Sequence, residues 1–75
     1  MWQPFVSILV PVSNEERYIE RCLYSIACQD YPRSRYEVLV IDGQSTDRTK
    51  QIVTRFAAES TIDLRLLQNP RYRTA

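Results

Sequence analysis

Two apolar stretches rich in β-branched residues constrain this chain more than any other feature. They are Phe5-Val6-Ser7-Ile8-Leu9-Val10 and Tyr36-Glu37-Val38-Leu39-Val40-Ile41. Near-continuous apolar runs of this length suit strands covered on both faces, as in a parallel sheet. Between them the apolar residues change period. Tyr18, Ile19, Cys22, Leu23, Ile26 and Ala27 follow one another at steps of 1, 3, 1, 3 and 1, which is one stripe of a helix. A strand, a helix and a second strand fold most readily as a parallel pair with a right-handed crossover.

The residues between these runs set the expected boundaries. Pro11 is expected to end the first strand, since proline cannot donate to a ladder. Ser13-Asn14-Glu15-Glu16 matches a capping box, with Ser13 as N-cap and Glu16 reaching back. Gln29-Asp30-Tyr31-Pro32 closes the helix, because the residue before a proline resists the α region. The second strand stops at Asp42-Gly43, where the glycine turns the chain. A second helix follows, with Ser45 or Thr46 as N-cap and Asp47 in the first turn, where negative charge is favoured. Its buried stripe is Ile52, Val53, Phe56 and Ala57. Ile62-Asp63-Leu64-Arg65-Leu66-Leu67 alternates at first and reads as a third strand at an edge, broken by Gln68-Asn69-Pro70. Arg71 to Ala75 carry no clear signal. The expected fold is α/β: a β-α-β-α-β parallel sheet of order 3-2-1, half of a doubly wound, Rossmann-like sheet.

Composition narrows the function. At 75 residues the chain is at most one domain, residues 1–75, and buries only about 60% of its unfolded surface. Hydrophobic residues are 44% and charged residues 25%, a globular balance. A net charge of +1 implies no nucleic-acid or anionic-membrane partner. There is no histidine, so a Ser-His-Asp triad, a Cys-His pair and a His-rich zinc site are excluded within the chain. A single glycine excludes the GxGxxG and P-loop fingerprints, which disfavours a Rossmann-like redox domain. Cys22 and Cys28 on one helix lie about 9 Å apart along its axis, too far to bridge. They read as small buried residues of a reducing compartment, and the chain is expected in the cytoplasm. The run Phe5–Val12 is too short for a membrane span or a signal segment.

In open parallel sheets, ligands bind beyond the carboxyl ends of the strands. Here those ends lead into Pro11-Val12-Ser13-Asn14-Glu15 and Asp42-Gly43-Gln44-Ser45. Adjacent strands lie about 4.8 Å apart, so the two loops are neighbours. A cleft between them is expected to offer backbone N–H groups of two helix starts, two hydroxyls, and the carboxylates of Glu15 and Asp42. Those groups suit a nucleobase and ribose. The carboxylates argue against a bare phosphate there, and a diphosphate needs a divalent cation held by further carboxylates.

The segments "VSILVPVSNEERYIERCLYSIACQDYP" and "YEVLVIDGQSTDRTKQIV" resemble the start of a family-2 glycosyltransferase of the GT-A fold. The resemblance rests on Pro11, Asn14-Glu15, Gln29, Tyr31-Pro32, Asp42, Ser45, Asp47 and Thr49 in that order, and covers about residues 5 to 70. It implies an N-terminal portion of a sugar transferase acting from a UDP- or GDP-linked donor to an acceptor hydroxyl on a saccharide or lipid-linked acceptor. It implies nucleotide-sugar binding by Pro11, Val12, Ser13, Glu15, Asp42 and Gly43. It also implies a divalent cation, Mn or Mg, whose ligands lie beyond this chain together with the catalytic base. Membrane attachment in this family often comes from later segments. Two positions depart from the pattern. Ser13 stands where an aromatic often stacks on the base, and Gly43 stands at the second Asp of a common Asp-Asp pair. The 75 residues alone are expected not to turn over substrate.

Each residue also has a plainer reading. Asp42-Gly43 alone is a common strand-to-helix turn, and the resemblance is what moves Asp42 to a functional role. Asp47 and Ser45 read first as helix-start residues. Glu16 is the better cap partner, which leaves Glu15 as the better ligand candidate. Tyr18, Tyr31 and Tyr36 read as packing groups, and Arg71 and Arg73 as a solvated basic tail. The rival function is a non-catalytic α/β interaction module or a truncated product without activity of its own.

Overall fold

The computed structural model describes residues 4–69. The expectations for Arg71 and Arg73 fall outside that range. Three strands form one sheet: β1 Val6–Val12, β2 Tyr36–Asp42 and β3 Asp63–Gln68. Helix α1, Ile19–Ala27, links β1 to β2, and α2, Thr49–Glu59, links β2 to β3. A short 3-10 turn, Arg33–Arg35, leads into β2. The order is β1-β2-β3 with both pairings parallel, the 3-2-1 order counted from the other edge.

The register explains the core. Val38 pairs with Ile8 and Leu64, Val40 with Val10 and Leu66, and Asp42 with Val12 and Gln68. Paired residues of neighbouring strands share a face. On this face Val12, Val38, Val40 and Leu64 pack with Ile19 and Leu23 of α1 and Val53 of α2. Both helices therefore cover the same side, as two crossovers in one direction require. The apolar runs suggest cover on both faces. Among the described residues the other face is open, with Leu9 at 59% exposure and Leu67 at 42%. Leu39 and Ile41 between them are half-buried.

Several local expectations give way to tertiary contacts. Pro11 lies inside β1, opposite Ile41. An edge strand tolerates a missing N–H on its outward side, and β1 is such an edge. Helix α1 begins at Ile19 with no side-chain cap, so Ser13 and Glu16 form no capping box. Cys22 and Cys28 are free thiols, and both are exposed. The buried stripe of α1 is narrower than its apolar spacing: Ile19 and Leu23 are buried, while Tyr18 and Cys22 face water. Tyr36 is a core residue, and Tyr31 packs on it with ring centroids 6.3 Å apart. The Tyr31 hydroxyl donates to the Pro4 carbonyl.

Candidate functional site

The carboxyl ends of β1 and β2 deliver two loops, residues 13–18 and 43–48, side by side. They are joined laterally. Gly43 N–H donates to the Val12 carbonyl at 2.8 Å. Asn14 N–H donates to Ser45 Oγ at 2.9 Å, and Glu15 N–H to Thr49 Oγ1 at 2.8 Å. Glu16 N–H donates to Asp47 Oδ2 at 3.2 Å, while Glu16 Oε1 accepts from Arg48 N–H at 3.1 Å. The Asn14 side chain crosses the other way. Its Oδ1 accepts from Thr46 N–H at 2.8 Å and from Asp47 N–H at 3.3 Å.

This stitching corrects the expected cleft. The amides of residues 14–16 and 46–48 serve the partner loop and are not offered to a ligand. The hydroxyls are engaged as well. Ser13 Oγ donates to the Gly43 carbonyl at 3.4 Å, and Ser45 Oγ accepts from Asn14. Neither Ser45 nor Thr46 caps α2. Asp47 takes that work: its Oδ1 accepts from Thr49 N–H at 2.9 Å and from Thr49 Oγ1 at 2.5 Å. An acceptor two residues before the amide it binds is the usual Asx arrangement. Asp47 is thus structural, as its position suggests. Gly43 is not the left-handed turn residue either. Positive φ falls at Asn14, 53°, and Gln44, 61°. Gly43 is buried between its bonds to Val12 and Ser13, where the backbones approach closely.

Asp42 closes β2 beneath these loops with no exposed surface. Oδ2 accepts from Ser45 N–H at 3.0 Å and from Gln68 Nε2 at 3.3 Å. Oδ1 is buried and has no hydrogen-bond partner among the described residues. Burial pushes this carboxyl up. The Ser45 hydroxyl and amide, the Gln68 amide and the charge of Lys50 outweigh it and hold the group below its ordinary value. It is therefore a carboxylate at neutral pH. Asp47 is held low in the same sense: burial raises it, and the bonds from Thr49 and the Glu16 amide more than reverse that.

The other candidates spread around this point. Val12 is buried against the core and Ser13 is half-buried, while Pro11 and Glu15 are exposed. The Glu15 backbone is fixed: its carbonyl accepts from Tyr18 and Ile19 N–H at 3.0 and 2.9 Å. Three residues that hold the site were not site candidates from sequence. Asn14 carries the cross-loop bonds, Thr49 is a fully buried polar bridge, and Gln68 reaches Asp42 from the end of β3. Asn14 had a readable signal, since asparagine tolerates positive φ better than most residues. Gln68 had none short of knowing the β2–β3 register.

Chemically, a buried carboxylate with one satisfied oxygen and one orphaned oxygen is an acceptor for an N–H or O–H of a ligand. No group of three or more His, Cys, Asp or Glu side chains among the described residues could hold a metal. No helix among them is long and apolar enough to cross a membrane.

Comparison with known proteins gives a consistent picture. Glycosyltransferase AglE of Haloferax volcanii is 50% identical over 54 residues, covering 72% of this chain and 18% of that protein. The poly(ribitol-phosphate) β-N-acetylglucosaminyltransferase TarS of Staphylococcus aureus is 48% identical over 50 residues, 67% of this chain and 9% of TarS. Among solved structures, the mannosyltransferase PcManGT of Pyrobaculum calidifontis, in complex with GDP-Man and Mn2+, superposes with a TM-score of 0.90 at 38% identity. It matches all of this chain, which covers 22% of PcManGT. TarS in complex with UDP-GlcNAc superposes at 0.78 with 39% identity, over 88% of this chain and 18% of the TarS chain. The chain thus spans about a fifth or less of the length of these relatives. The sequence matches the description "Glycosyl transferase family 2" across residues 7–74, and with the parallel sheet of GT-A transferases this chain belongs to glycosyl transferase family 2.

Proposed function

We propose that residues 1–75 are the first part of a GT-A domain and contribute the nucleotide-binding loops of a sugar transferase. The whole protein moves a glycosyl group from a nucleoside diphosphate sugar to an acceptor hydroxyl. The acceptor site and the catalytic base lie outside this chain, and a cytoplasmic setting follows for a donor of this kind. The observation that carries the reading is the orphaned Oδ1 of Asp42 at the carboxyl end of the central strand. An unpaired buried acceptor costs about 1–3 kcal/mol, and a ligand N–H or O–H removes that cost. The relatives crystallised with GDP-Man and with UDP-GlcNAc support a nucleotide as that ligand.

Pro11, Val12, Ser13, Glu15 and Gly43 frame the carboxylate rather than replace it. Val12 and Gly43 are buried and fix the strand ends, and Ser13 ties one loop to the other. Glu15 is exposed at the rim. With Asp42 beneath the surface, the ligand reaches Oδ1 through a rotamer-scale shift of the side chains above it, a common change at binding sites. The stitched loop amides leave no phosphate cradle between the loops. A divalent cation, as in the PcManGT complex, would neutralise the diphosphate. The acidic residues described here do not fit such an ion on their own, so its ligands belong to the rest of the protein.

Titration of the 15N-labelled chain with UDP and with GDP tests the assignment. Amide shifts are expected at Val12–Glu15 and Gly43–Ser45, and Asp42→Asn is expected to weaken binding about tenfold or more. A wild-type spectrum that stays unchanged at those residues refutes it. A transfer assay with a UDP-sugar and manganese is expected to show no turnover by this chain, and robust turnover would overturn its reading as a partial domain.

A further inference from the structure

The Asp42 carboxylate is held from two directions. Ser45 N–H reaches Oδ2 from the loop after β2, and Gln68 Nε2 reaches the same oxygen from the last residue of β3. Gln68 is the register partner of Asp42 in the parallel pair, so the two side chains leave the same face of the sheet. The amide orientation is unambiguous, because a carboxylate only accepts and the NH2 group must face it. One donor leaves a carboxylate free to swing about its Cβ–Cγ bond, exchanging its two oxygens. A second donor on the same oxygen, from a different element, fixes the plane and leaves Oδ1 as the unpaired one.

Burial does not account for the contact made by Gln68. It is exposed, and the strand end is already pinned by Asn69 N–H donating to the Asp42 carbonyl at 2.9 Å. We propose that Gln68 is a positioning residue: it holds Asp42 so that Oδ1, not Oδ2, is presented to the nucleotide. This rests on the nucleotide reading of the site. Among the described residues, Lys50 also acts on this carboxylate through its charge, without a hydrogen bond. The orientation is therefore set by Ser45 and Gln68.

The test compares the wild-type chain with Gln68→Leu and Gln68→Glu, with UDP as the probe. Three quantities are read: UDP affinity from amide shifts, the Asp42 pKa from its carboxyl carbon, and the urea midpoint. Gln68→Leu is expected to weaken UDP about 3- to 10-fold. It should raise the Asp42 pKa and lower the urea midpoint at neutral pH by no more than that rise accounts for. Gln68→Glu sets a second carboxylate beside the first and is expected to raise the Asp42 pKa further, with a larger loss of affinity. If wild type binds UDP and Gln68→Leu binds equally well, the positioning role is refuted while the nucleotide reading stands. If affinity falls but the Asp42 pKa does not move, Gln68 acts by touching the ligand, and positioning is again refuted. A wild-type chain with no UDP shifts at the two loops refutes the nucleotide reading, and this inference with it.

Discussion

Asn14→Ala tests how the two loops are held together. The substitution removes the oxygen that accepts from Thr46 N–H at 2.8 Å and from the Thr46 hydroxyl and Asp47 N–H at 3.3 Å each. The site is exposed, so the released donors regain water. The net loss is about 1 kcal/mol for the short bond and about half of that for the two long ones together. The backbone adds a separate cost. Asn14 sits at φ 53°, where alanine is disfavoured by about 1 kcal/mol or more and asparagine by less. The sum is about 2–3 kcal/mol. At a urea m-value of about 1 kcal/mol per M, the midpoint should fall by roughly 2–3 M. Asn14→Asp is the control. It keeps an acceptor and tolerates the same φ, and repulsion from the neighbouring Asp47 limits its cost to under about 1 kcal/mol. The assay is urea unfolding by far-UV circular dichroism, with amide exchange measured at Thr46 and Asp47. Those two amides should lose protection in Asn14→Ala and keep it in Asn14→Asp. Unchanged protection in the alanine variant, or a midpoint within about 0.5 M of wild type, would refute the account.

Leu23→Ala should cost about 3 kcal/mol, because Leu23 has no exposed surface and joins α1 to the core. That is a large share of the stability of a domain this small, and urea unfolding measures it. Acid should destabilise the fold through Asp42 and Asp47, both held below the ordinary value of 3.8. As pH falls, the unfolded chain protonates first, so the contribution is full above about pH 4–5 and is lost as pH drops through the depressed folded values. Asp47→Asn should flatten the pH dependence of the urea midpoint below pH 4, and a slope identical to wild type would contradict the assignment. Glu59→Gln should change stability by less than about 0.5 kcal/mol, since its pairing with Arg55 spans 3.6 Å between side chains 79% and 70% exposed. A larger shift in the urea midpoint would mean the pair is not a solvated one.

The sheet was legible because its signal is local. Val38 and Val40 face the helices with no exposed surface, and their β-branched run announces a strand before any contact is known. Asp42 became a candidate through the family resemblance, since its place alone reads as a strand-to-helix turn; what the sequence could not show is its full burial and its bond from Gln68. The helix starts were not. Ser13 and Glu16 have the spacing of a capping box, yet their bonds go to Gly43 and Arg48 across the sheet. A local pattern offers these side chains a partner three residues away; the fold offers one about thirty away, and nothing in the spacing ranks the two. Cys22 fails for a related reason. Helical period gives the direction of a stripe but not its width, and in α1 only Ile19 and Leu23 are fully covered, with Ile26 and Ala27 partly so. Gly43 misled because glycine is the default residue for positive φ, while here Asn14 and Gln44 adopt it.

The lateral bonds between the loops have a consequence for anyone who would rebuild this protein. Asn14 and Ser45 stand 31 positions apart in the chain, yet Ser45 Oγ completes the Asn14 backbone, and Asn14 Oδ1 completes that of Thr46, the residue after Ser45. Neither loop is a portable module. A chimera that imports the segment after β1 from a relative, without the one after β2, inherits donors aimed at acceptors that are no longer there. The smallest piece that can be transplanted intact is the pair, with the end of β3 that steadies Asp42.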